Sequence, residues 1–383
     1  MSWPIPVFLN IEYPKPISLR VWLPTLVSIA SATAAAVLLV WPQGKPTNTV
    51  LFWATLVGAP LVACFLLLGW RLKQWEDEQK DAEDAEKEQH WLKKGWRDWS
   101  RRQACVIDVA AFPAATDEID RFSAEKFDLP TNIDRSITFD WVSGRTAAFR
   151  RTRLLRLVAL RFAEALRDRR EVIITLMLDD TSLKQDEDWT KQVMRTFGSM
   201  IPALRVEVHP ATGGVQWMTQ LVDRVDPATR LVIAAQLWAD EEEKHNFSEG
   251  AAAFLVEAAA TNAGLIFRPM TSVRDTMEVG LGQIREFQMA PDRLKHVWVA
   301  NCEHIEATAI RSALAPDPKE MPDERLLDGV LGTPGPASGW IALAVAMEAM
   351  RGARPQLVAW REPQSECLYL CTVSPMPQKE TSV

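Results

Sequence analysis

Apolar residues follow two regimes along the chain: two unbroken runs near its start, then short periodic clusters to the end. The runs cover residues 21–41 and 50–70, and between Arg20 and Arg71 the only charged side chain is Lys45. A helix rises about 1.5 Å per residue, so each run of roughly 21 residues reaches across a hydrocarbon layer of about 30 Å. The turn at 42–49 holds Pro, Gly, Thr and Asn, which stop a helix. Trp41, Trp53 and Trp70 stand near the ends of the runs, where indoles favour headgroups. Lys15 and Arg20 precede the first run, Arg71 and Lys73 follow the second, and the turn has Lys45 alone. This bias predicts a two-span, multi-pass anchor in a bacterial-type inner membrane, with residues 1–20 and everything after 70 in the cytoplasm. A cleaved signal peptide would account for the first run only, and its long Pro-rich leader and the second run fit that reading poorly. A buried hairpin in a soluble fold would rarely stay free of charge for so long.

Beyond the second run the pattern changes sign twice. Residues 76–88 carry eight acids and two lysines, then Lys93, Lys94, Arg97, Arg101 and Arg102 follow. Strong helix formers dominate and Pro is absent, which predicts a charged juxtamembrane helix over 71–103. Trp91, Trp96 and Trp99 offer it an interfacial face, the alternative being a solvated spacer. From 104 to 377 short apolar segments alternate with amphipathic ones, and 378–383 reads as a tail. Strands are expected at 104–112, 172–178, 204–208, 231–235, 251–257, 265–268, 297–301, 356–360 and 367–374. Helices are expected at 145–169, 188–199, 216–224, 275–288, 305–315 and 338–351. Such alternation predicts an α/β domain.

Composition narrows the partners. A formal charge of −7 over 383 residues argues against nucleic acid. Residues 145–169 nevertheless hold eight arginines among leucines, a pattern that suits phosphate or acidic lipid, or else a solvated helix face. Cys64, Cys105, Cys302, Cys367 and Cys371 are odd in number and scattered, which fits reduced thiols. Cys367 and Cys371 share one face of an expected strand with no histidine near them in sequence, so packing is expected rather than a metal. Asp179 and Asp180 end another strand, where a helix cap is the simpler role than a metal ligand.

Four segments then carry a resemblance. Residues 248–257, Ser-Glu-Gly-Ala-Ala-Ala-Phe-Leu-Val-Glu, resemble the G-E-G-A-A-A strand of β-ketoacyl synthases, members of the thiolase-like superfamily. Residues 290–299 resemble the stretch leading into that family's second catalytic strand, and 305–310 are similar to its I-E-A helix. Residues 332–339 resemble its G-H-T-G-A-A-S-G turn. The order is kept over about 130 residues, while 104–236 match only in their α/β alternation. The resemblance implies a thiolase-like layered α-β-α-β-α domain with mostly parallel mixed sheets.

Condensation needs a cysteine thiolate at a helix N-terminus, where the dipole stabilises sulfur as an anion. That place falls at 211–215, Ala-Thr-Gly-Gly-Val, which has no cysteine. The two histidines that stabilise a developing enolate are also missing. Asn301, Cys302, Glu303 and His304 are too few for the H-G-T loop, and Thr333 takes the second place. Arg361, Glu362, Pro363 and Gln364 replace the glycine-rich oxyanion turn.

The chain is therefore expected to be a pseudoenzyme with no catalytic residue, cofactor or metal, used as a scaffold or interaction module for other membrane proteins. The resemblance further implies a homodimer and an accessory place at a bacterial type VI secretion machine. Two alternatives stay open: a membrane-bound acyltransferase or condensing enzyme with Cys302 and His304 as a relocated pair, and a cleft that still binds an acyl or carrier ligand.

Overall fold

The computed structural model describes the chain apart from residues 1–2, 43, 125–128, 143–145, 224–227, 240–245, 261–262, 290–293, 295, 315–321, 350–354, 364 and 375–383. Expectations on Arg145, on 290–293 and on the tail 378–383 lie outside the described residues. The chain divides into two compact units, Pro6–Gly95 and Met1–Ile5 with Trp96–Val383.

In the smaller unit, α1 (Leu19–Val40) is followed by α2 (Val50–Ser100). Both are long and apolar enough to cross a membrane, and their apolar windows are 0% and 6% buried. The pair packs as a hairpin: the Cys64 thiol donates to the Leu26 carbonyl at 3.4 Å, and Trp41 meets Phe52 edge-on at 5.0 Å. The segment before α1 lies along the charged stretch of α2, with Gln89 Nε2 donating to the Leu9 carbonyl at 2.8 Å and the Tyr13 hydroxyl to Glu86. Both ends of the hairpin thus emerge on one side. The charged helix expected over 71–103 is present to Ser100 and is continuous with the second apolar run. No proline or turn cluster separates Trp70 from Ser100, and Arg, Lys, Gln, Glu and Ala propagate a helix well.

The larger unit begins with β1 (Gln103–Pro113), α3 (Ala147–Leu166), β2 (Glu171–Leu178) and the short α4 (Asp180–Leu183). Then come α5 (Asp186–Phe197), β3 (Ala203–Pro210), α6 (Gly214–Asp223), β4 (Thr229–Gln236), β5 (Gly250–Glu257), β6 (Gly264–Phe267) and β7 (Met270–Ser272). The last stretch holds α7 (Met277–Gln283), β8 (His296–Ala300), α8 (His304–Leu314), β9 (Asp323–Leu326), α9 (Asp328–Leu331), α10 (Ser338–Ala349), β10 (Gln356–Arg361) and β11 (Leu368–Ser374).

The strands run β3-β2-β4-β5-β1-β6-β11-β10-β8-β9, with β7 paired to β11 off this path. Counted within each half, the order is the same: third, second, fourth, fifth, first. In each half the fifth strand, β5 or β11, runs against its neighbours, so four strands share a direction and one opposes them. The two halves are joined by antiparallel pairing of β1 with β6, at Gln103↔Phe267 and Ala104↔Ile266.

Three buried clusters set the layers. One face of the first half packs on α3 and α5, through Phe162, Leu166, Trp189 and Phe197. One face of the second half packs on α7 and α8. The remaining faces of both halves enclose α6 and α10. The result is the α-β-α-β-α layering expected, with α10 at its centre. A helix between two sheets has no solvent face, which is why α10 reads Trp-Ile-Ala-Leu-Ala-Val-Ala-Met with no polar stripe. The alanines of β5 let it come close, and a Cβ at Gly250 would lie 2.7 Å from Ile341.

Glu249, at the head of β5, ties the first half together. It is buried, accepts from Arg150 Nη1 at 2.6 Å and from the Trp238 and Phe139 amides at 2.9 and 3.3 Å, and takes the Thr138 hydroxyl as well. Trp99 and Ser100, within the larger unit, are equally held. Arg268 lies buried over the Trp99 ring at 4.3 Å, and Gln288 Nε2 donates to the Ser100 carbonyl at 2.8 Å. Trp3 packs on Trp99, the Ile5 amide donates to Gln283 Oε1 at 2.8 Å, and Gln283 Nε2 donates to the Ile5 carbonyl at 2.7 Å.

Candidate functional site

Strand β3 ends at Pro210 and turns into α6 through Ala211, Thr212 and Gly213. Gly213 has φ +81°, a left-handed conformation open to glycine. Gly214 admits the Trp340 indole, since a Cβ there would sit 2.5 Å from Trp340 Nε1. A helix start leaves amides without intrahelical partners and gathers partial positive charge, which suits an anion.

Glu362, from the link between β10 and β11, supplies that anion. Its Oε2 accepts from the Gly213 amide at 3.0 Å, and the Gly214 and Val215 amides bond it too. Burial pushes the Glu362 carboxyl above its usual range, and the three amides oppose that shift. The space around this corner is small. A void of about 10 Å³ remains, lined by Ala211, Met218, Trp340, Leu343, Trp360 and Glu362. That is on the scale of one water-sized probe sphere, far below an acyl chain. Two indoles fill the rest. Trp340 packs edge-on to Trp217 and Phe254, each at 5.9 Å, and the Trp360 ring covers Gly339 so closely that a Cβ there would collide with it. Among the described residues this corner holds no space of acyl-chain size.

The corresponding corner of the second half follows β8. Asn301 adopts φ +52°, its amide donates to Asp328 Oδ2 at 2.7 Å, and its Nδ2 donates to the Arg361 carbonyl at 2.8 Å. Burial raises the Asp328 carboxyl to about 6 against the opposing effect of the Asn301 amide. The Cys302 thiol donates to the Ala300 carbonyl at 3.3 Å. Its pKa is driven strongly upward, by burial first and then by Glu306 and Asp328, with Arg361 opposing. His304 is exposed at the first turn of α8, where its carbonyl accepts from the Thr308 hydroxyl at 2.9 Å. Among the described residues no hydrogen bond joins Cys302 to His304; each bonds a backbone carbonyl or hydroxyl of its own segment. Glu306 and Asp328 outweigh the Arg361 guanidinium at this thiol, whereas a nucleophile needs the balance the other way.

Arg361 pairs with Glu306 and, at 3.4 Å, with Glu303. Thr333 lies in a turn with Gly332 at φ +76°, its amide donating to the Arg135 carbonyl at 3.0 Å and its carbonyl accepting from Ser248 at 2.8 Å. An open groove of about 260 Å³ lies over this corner, lined by Asp134, Asn301, Cys302, Asp328, Thr333 and Arg361.

Other candidates resolve into structure. Asp179 Oδ1 caps α4, accepting the Thr181 and Ser182 amides at 2.9 Å each, and Oδ2 takes the Leu237 amide at 3.1 Å. Cys371 is fully buried in the central cluster. Of the arginine-rich stretch, Arg150 pairs with Glu249, Arg161 with Asp108 at 2.6 Å, and Arg169 with Glu257 at 2.7 Å. Sequence reasoning placed the α6 corner and put Glu362 in the replaced oxyanion turn, but missed that Glu362, Trp340 and Trp360 fill this corner. A glutamate one residue past the penultimate strand and tryptophans in a helix and a strand carry no local signal.

No known family model and no curated relative matches the chain. Among solved structures it is similar to the tetronic acid condensing enzyme AbyA1, at 12% identity and a TM-score of 0.46, over 71% of this chain and 99% of that one. It is also similar to a variant of Xanthomonas campestris OleA, at 12% and 0.45, over 71% and 98%. A third is the type II polyketide ketosynthase AntDE with its acyl-carrier protein AntF, at 13% and 0.46, over 72% and 100%. No residue's role in this chain follows from likeness at this level.

Proposed function

We propose that this chain is a membrane-tethered, thiolase-like module in which packing has replaced condensing chemistry, and that it works as a scaffold for other proteins at a bacterial inner membrane. The observation that carries the reading is the Glu362 carboxylate on the Gly213 amide, at 3.0 Å. A condensing nucleophile needs that helix start to hold a thiolate. Here a carboxylate already meets the amides, and a second anion beside it would be repelled. The cysteine nearest the second corner is held as a thiol by burial and by Glu306 and Asp328. Two helices of membrane-spanning length support the tether, and both ends of their hairpin leave on one side.

A homodimer belongs to the same reading. Strand β3 ends the sheet with one edge unpaired over eight residues, a template for a second copy. The setting implied by the sequence resemblance is a type VI secretion machine. Photo-crosslinkers placed over the surface of the larger unit in intact cells, read by mass spectrometry, test the scaffold. Capture of neighbouring membrane or secretion-machine proteins is expected. Capture of lipid alone would contradict it.

A further inference from the structure

Helix α3 turns a basic face outward. At about 100° per residue, Phe149, Arg153, Arg156, Leu160 and Arg167, the last at the cap, fall within an arc of about 60°. Arg153, Arg156 and Arg167 are exposed, and among the described residues none has an ion-pair partner. Phe149 is 41% exposed and Leu160 74%, the latter unusual for a leucine on a helix otherwise packed to a core. Glu164 borders the stripe and is its one acid.

Helix α2 carries a stripe of opposite charge at the same spacing. Asp77, Asp81, Asp84 and Glu88 recur at intervals of four, three and four, again within about 60°. All are exposed; Asp84 pairs with Lys87 at 2.8 Å, while Asp77, Asp81 and Glu88 have no ionic partner among the described residues. Trp91, 72% exposed, continues the stripe one turn further and offers an apolar contact. Lys80 and Lys87 lie to one side of it.

We infer that the outer face of α3 docks on the acidic stripe of α2 from a second copy of this chain. Two helical stripes with the same i, i+4, i+7 recurrence align over about 16 Å, bringing arginine to carboxylate at several turns with apolar residues between. A lipid surface fits less well. The acidic stripe of α2 matches the face in spacing, in charge and in apolar contact through Trp91, which a headgroup layer does not. Exposed ion pairs are individually weak and screened by salt, so the contact depends on tethering, which keeps copies near one another in a bilayer.

The test uses two full-length chains with different tags, one Leu160→Cys and the other Asp81→Cys, co-reconstituted in a bilayer and treated with a bis-maleimide spanning about 10 Å. A heterotypic crosslink is expected, reduced at least about fivefold at 1 M salt, where the Debye length is about 3 Å. Adding Arg153→Glu and Arg156→Glu to the first chain should abolish it. Adding Asp77→Lys and Asp84→Lys to the second should then restore it. Crosslinks insensitive to charge reversal, crosslinks confined within single chains, or loss without restoration by the swap would each overturn the proposal. The last of these would assign the stripe to an acidic partner other than this chain.

Discussion

Glu362 Oε2 lies 3.0 Å from the amide of Gly213, residues 149 positions apart in the chain. The link between the last two strands thereby closes the helix start to which the first half of the fold leads. Because burial raises the Glu362 carboxyl, the folded state holds its proton more tightly than the unfolded chain. Stability from this group is therefore full below the ordinary carboxylate range and declines as pH rises through the raised value. Glu362→Gln imitates the protonated form. Its melting temperature should exceed that of the parent at pH 8, with the gap closing toward pH 4. A constant deficit at every pH would show that the charge itself is needed.

Asp328 follows the same sign. Its carboxyl is raised to about 6, so the parent should lose stability between about pH 4 and pH 6, and Asp328→Asn should flatten that slope. Urea melts at half-unit pH intervals check it. Equal slopes for parent and variant would contradict the burial that raises Asp328.

Gly339 has no room for a methyl group beneath the Trp360 indole. Gly339→Ala should cost about 1–3 kcal/mol, the usual price of overpacking. Chemical denaturation of the full chain in detergent reads this directly. A neutral alanine would mean that the cleft is looser than its void of about 10 Å³ implies.

Glu249 gathers an arginine, two amides and a hydroxyl in a buried place. Glu249→Ala strands the Arg150 charge and should destabilise by about 3–5 kcal/mol, as removing one partner of a buried pair does. Arg150→Met in the same background should recover part of the loss, because the orphaned charge is then gone. If the double variant is no better than the single, the pair is not the origin of the cost.

Much of the fold was legible in the chain. The strands of each half are short apolar runs, and the Gly-Ala-Ala-Ala start of β5, expected as a strand, packs closely on Ile341. β9, Asp-Glu-Arg-Leu at a sheet edge, and β7, three residues long, have no periodic signal to read. Helix α7 stops at Gln283 and passes into a π-turn, where 275–288 had been expected as one helix; Gly280 and Gly282 weaken the middle of that stretch. The place of the missing cysteine, 211–215, was readable from the strand before it. What fills that place was not, because only tertiary topology brings Glu362 to Gly213 and lays Trp360 on Gly339.

The most direct measurement is the intact mass of the purified full-length chain after incubation with acyl thioesters and with mechanism-based ketosynthase inhibitors. A closed corner at Gly213 and a protonated Cys302 predict an unchanged mass at neutral pH. A covalent acyl adduct on Cys302, or on any other cysteine, would contradict the account.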